Sequence, residues 1–128
     1  MEVQSKDFLL FLGSVAVLGT LATIWLPHWS GSLYVLIIVG YFFRGGWRYA
    51  LAGGLVMAGV WLAAALFYDL PNEGVLASRV GMLFGMSRAG LWGLTALVGF
   101  ILGSLGIAVG QTLAHLLPQR PPRWRERR

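Results

Sequence analysis

Between Gly90 and Leu117 the chain reads GLWGLTALVGFILGSLGIAVGQTLAHLL, without one formally charged residue. A run of about 28 residues crosses a bilayer as a single helix with length left over for tilt. At roughly 100° per residue, Ala96, Gly99, Gly103, Gly106, Gly110 and Ala114 share an arc of about 80°. Small residues on one arc let a second helix backbone come close, which drives association where lipid supplies no hydrophobic force between helices. Glycine is a poor helix former in water, so the pattern favours a packed membrane helix over a soluble one.

Composition points the same way. Of 128 residues, 57% are hydrophobic and only 12% are charged, and the mean hydropathy is +0.70. A soluble domain carries about twice that share of charge. The absence of cysteine excludes disulfides, thiolate catalysis, zinc–thiolate sites and iron–sulfur clusters. The net charge of +5 comes mostly from the last nine residues, so it belongs to a tail and not to a diffuse basic surface.

A polar start with Glu2, Lys6 and Asp7 leads into an apolar run over about 8–26, a good spanning length. This run exceeds a signal-peptide core, and Pro27-His28-Trp29 is not a cleavage site, so it is read as a retained span. Gly13, Ala16, Thr20 and Thr23 repeat the small-residue spacing of the last helix. The next run, Leu33 to Phe43, is the most lipophilic but short. With its flanks it reaches about 30–46, the lower limit of a span. Gly45-Gly46 is the hinge of a helical hairpin, and a third span follows over about 47–70, stopped by Asp69 and Pro71-Asn72. Over about 73–89, Val75, Leu76, Val80, Leu83 and Phe84 share one face, as in a helix lying in the headgroups. Residues 118–128 form a Pro/Arg tail, with Arg120, Arg123, Arg125, Arg127 and Arg128 opposed only by Glu126.

The expected fold is therefore all-α: an integral membrane four-helix bundle of two transmembrane hairpins, in one domain over 1–117 with a basic tail. The interfacial helix faces outward. Lys6, Arg44, Arg48 and the five tail arginines fall on one side, and only Arg79 and Arg88 on the other. The positive-inside bias then puts both termini in the cytoplasm of a bacterial-type inner membrane.

No span carries an ionisable group at its middle, the usual mark of pumps and proton-coupled carriers. In size the chain is similar to the small four-helix multidrug exporters, but their first-helix glutamate has no counterpart between Phe8 and Leu26. Ser104, Gln111 and His115 lie within about 40° on the last helix. They are either ordinary interhelical hydrogen-bonding groups or the lining of a permeation path. Arg44 and Arg48, with Arg120, Arg123 and Arg125 of the tail, are candidate contacts for anionic lipid headgroups on the cytoplasmic side. His28 and His115 belong to opposite faces, so no metal site is expected. No G-x-S-x-G is present, so neither catalysis nor a cofactor is expected, and nucleic acid is not an expected partner.

These features lead first to a non-enzymatic membrane protein that associates with itself or a larger membrane complex. Its packing positions are Gly13, Ala16, Thr20, Gly99, Gly103, Gly106 and Gly110. The alternative is a homo-oligomeric channel or small-solute transporter lined by Ser104, Gln111 and His115. The chain also resembles phage holins in being small, multi-span and charged at its tail, which implies a pore-forming lysis protein as a third reading.

Overall fold

The computed structural model describes residues 2–26 and 30–117. His28 and the tail, with Arg120, Arg123 and Arg125, lie outside the described residues. Those described form five α-helices: α1 (Glu2–Trp25), α2 (Ser30–Phe42), α3 (Trp47–Asp69), α4 (Val75–Leu83) and α5 (Arg88–Leu116). Apolar runs without internal proline become helices because each backbone group can bond within its own segment. Three helices, α1, α3 and α5, are long and apolar enough to cross a membrane.

Two segments differ in length from the sequence reading. α2 has 13 residues, about 20 Å of helix against a hydrocarbon layer of about 30 Å. It stops short because the chain turns at Gly46, whose φ of 69° favours glycine. α4 is likewise shorter than 73–89. It ends before Gly85, and the Ser87 side chain accepts from the Gly90 amide to start α5.

α1 lies against α2 and α3, and α5 lies against the same two helices. The directions follow from paired positions. Phe11 meets Tyr49 and Gly19 meets Met57, so α1 and α3 run parallel. Leu36 meets Gly106 and Gly40 meets Ile107, so α2 and α5 run parallel to each other. The core is drawn from α1, α2, α3 and α5: Phe11, Val15, Leu36, Val39, Ala50, Met57 and Ile107. At the end carrying Lys6, Arg44 and Arg48, here called the basic end, Phe8, Phe11, Phe43 and Tyr49 interlock. Their ring centroids are 4.7 Å apart for Phe11–Tyr49 and 5.5 Å for Phe11–Phe43. Outward, the long helices expose large apolar side chains such as Leu9, Leu10, Ile24, Leu55 and Phe67.

Candidate functional site

The small residues of α5 are used inside the chain. Gly99, Gly103, Gly106 and Gly110 are all buried. A Cβ placed on Gly103 would stand 2.9 Å from Gly54 Cα and 3.0 Å from Gly53 O, so α3 and α5 touch backbone to backbone. One on Gly110 would stand 2.8 Å from Tyr41 N on α2. Gly99 faces Met57 and Trp61 of α3, and Gly106 faces Leu33 and Leu36 of α2.

Ser104, Gln111 and His115 fall into three different surroundings. The Ser104 hydroxyl is buried against Gly54 and Phe100 of the α3–α5 seam and has no hydrogen-bond partner among the described residues. The Gln111 side-chain amide donates to the Phe43 carbonyl at 3.2 Å. It thereby satisfies a backbone acceptor that α2 leaves open at its end. His115 is exposed. Gln111→Leu is expected to lower stability by about 1 kcal/mol, since a part-buried carbonyl loses its donor. Thermal unfolding in mild detergent measures this, and an unchanged transition would show that Phe43 finds another donor.

The opposite end of the helices holds a polar cluster that sequence reasoning missed. Asp69, the last residue of α3, is buried at 7% exposure. Its Oδ2 accepts from Arg88 Nε at 2.8 Å and from Trp92 Nε1 at 3.1 Å, both on α5. Its Oδ1 accepts from the Ala77 amide in the first turn of α4 at 3.3 Å. The N-cap of α4 is Gly74, which has no side chain to do this. The carboxylate therefore takes over the capping role and meets the positive end of the helix dipole. Arg88 also lies 4.7 Å over the Trp92 ring. Gly74, at φ 72°, is required twice over: a Cβ there would also run into the Arg88 guanidinium. One carboxylate thus fastens α3, α4 and α5 together. Its partners stand 8, 19 and 23 positions along the chain, beyond any local pattern.

The small residues of α1 have a different fate. No atom comes within 4 Å of a Cβ built on Gly13. Ala16 and Thr20 line a furrow of about 620 Å³ between α1 and α3, with Gly59, Ala63 and Ala64 on the other wall. Gly59, too, has no atom within 4 Å of its built Cβ. The aromatic side chains at the basic end hold α1 and α3 together, and the small residues beyond them leave the space unfilled. Arg44 and Arg48 lie at the basic end on a separate cleft with Ser5, Asp7 and Tyr49. The sequence matches no protein-family model and no curated protein, and no solved structure matches the chain.

Proposed function

We propose that this chain is a non-enzymatic inner-membrane protein that associates, with a second copy or with a larger membrane complex, through the furrow between α1 and α3. The observation that carries the reading is that furrow: an apolar channel walled by Ala16, Thr20, Gly59 and Ala63, which the chain's own side chains do not fill. In lipid, helices join where small residues admit a partner's side chains and backbone, because packing is the available attraction. The exposed leucines and aromatics around the long helices favour a lipid surrounding. In this reading α1/α2 and α3/α5 act as two membrane hairpins. Residues flanking α2 complete the fourth crossing, and α4 rests in the outer headgroups with Leu76, Leu83 and Phe84 turned away from the protein. Both termini are then cytoplasmic. The channel reading has less support, since Ser104, Gln111 and His115 do not share one lining.

Filling the furrow tests the proposal. Thr20→Leu with Gly59→Leu is expected to abolish cross-linked assemblies in native membranes. The monomer's stability should stay within about 0.5 kcal/mol of the parent, because neither change meets a packed neighbour. Cross-links between copies identify self-association; cross-links to other polypeptides identify a larger complex. A double variant that assembles like its parent would overturn the proposal, as would a parent chain that forms no cross-linked species.

A further inference from the structure

The helix α4 is held to the others by little. Of its nine residues only Ala77 and Gly81 are buried. A Cβ on Gly81 would stand 2.7 Å from the Met86 carbonyl, so the turn after α4 covers Gly81, not another helix. Ala77, at 6% exposure, is the buried contact with the bundle, and Val80 adds a half-buried one. The large apolar side chains Leu76, Met82, Leu83 and Phe84 all face outward.

The backbone of α4 is closed on itself. At its end the Gly85 amide donates to the Met82 carbonyl at 3.2 Å, and the Met86 amide to the Gly81 carbonyl at 2.8 Å. With Gly85 at φ 65°, this turn satisfies the last carbonyls without help from α3 or α5. At its start the first bond within the helix runs from the Ser78 amide to the Gly74 carbonyl. The Ala77 amide lies ahead of that bond and relies on Asp69 Oδ1. The entry is also strained: Glu73, a non-glycine residue, stands at φ 54°.

We propose that α4 is a hinged flap, latched by Asp69, that swings on the turns at 70–74 and 84–87 while α3 and α5 stay joined. When it lifts, Asp69 gives up the Ala77 amide but keeps Arg88 and Trp92, so its carboxylate is not stranded and the corner of α3 and α5 holds. The outward apolar side chains keep their surroundings in both positions, and the apolar loss is confined to Ala77 and Val80. Such a unit belongs to the low-stability end of a fold. Beneath it lies a crevice of about 220 Å³, with Ala65 of α3 and Leu91, Trp92 and Thr95 of α5 on its walls. Ala77 and Val80 form its third side, so lifting the flap lays this crevice open.

The test is a distance measurement between two spin labels on the full chain in mild detergent. The chain has no cysteine of its own, so Arg79→Cys with Gly93→Cys labels only α4 and α5. Arg79 is exposed, and no atom stands within 4 Å of a Cβ built on Gly93. The labelled parent should show a main distance and a second, longer one in the minority. Ala77→Leu places bulk at the buried contact and should raise the share of the longer distance about tenfold relative to the shorter. Amide exchange in α3 and α5 should stay at the parent rate, which separates a lifted flap from general loosening. Should Ala77→Leu fail to fold, Gly85→Ala is the second variant. It puts a side chain at a positive φ in open space, weakens the closing turn, and should raise the longer distance about fivefold. A single distance that no folded variant shifts would overturn the proposal. So would a shift accompanied by equally faster exchange in α3 and α5.

Discussion

Leucine at both Gly103 and Gly110 is expected to prevent the chain from reaching its folded form. Each position faces backbone, Gly53 and Gly54 of α3 in one case and Gly40 and Tyr41 of α2 in the other. Backbone cannot swing aside as the end of a side chain can. Overpacking of this kind costs about 1–3 kcal/mol at one site, and these sites belong to the upper end because two helices must separate. The two positions are about 10 Å apart along α5 and press on different helices, so their costs should nearly add. The sum, about 5 kcal/mol, is comparable to the whole stability of a modest domain. Size-exclusion and thermal unfolding in mild detergent should show an expanded or aggregated species where the parent is compact. Alanine at the same sites should give a smaller loss of the same sign. Alanine at Gly13, where nothing stands within 4 Å, should give none. A double leucine variant that melts with its parent would mean that α5 does not pack on α2 and α3 by close approach.

The second large effect is expected at Asp69. Asp69→Leu strands the Arg88 guanidinium beside Trp92 and removes the acceptor for the Ala77 amide. Breaking one side of a buried pair is normally among the costliest single changes, but Arg88 is 32% exposed and keeps part of its hydration. A fall in melting temperature of roughly 5–10 °C is expected. It should come with faster amide exchange in α4, which the carboxylate ties to α3. Asp69→Asn keeps an acceptor but loses the charge, and should fall between parent and leucine. Combining Asp69→Leu with Arg88→Met removes both charges and should recover most of the loss, because an apolar pair of similar volume leaves nothing stranded. If the double change is no better than Asp69→Leu alone, the packing of this corner matters and the ion pair does not.

The two small-residue patterns show where sequence reading stopped. Gly13, Ala16 and Thr20 on α1 have the same three-and-four spacing as Gly99, Gly103, Gly106 and Gly110 on α5. The α5 set is buried against α2 and α3, whereas Gly13 and Thr20 are exposed and Ala16 is half-buried. Spacing fixes which residues share a face; it carries no information on which helix the face meets. The polar residues teach the same lesson. Gln111 and Ser104 share an arc of one helix, but one reaches the end of α2 and the other the middle of α3.

An all-helical chain with long apolar helices followed from the sequence alone, because helix formation and apolar length depend on neighbours within about four positions. The bend at Gly45-Gly46 was legible as a hairpin hinge, whereas the one at Gly74 was not. The positive φ of Gly46 and Gly74 is a response to the two ends they join. The tertiary structure decided which glycines are consumed by packing and which border an open furrow. It also decided that Asp69 ends α3 by fastening α4 and α5, and that Arg44 and Arg48 share a cleft with Asp7. These contacts join residues 8 to 68 positions apart. Local periodicity decays within a turn or two, and such pairs meet only when whole helices are laid against each other.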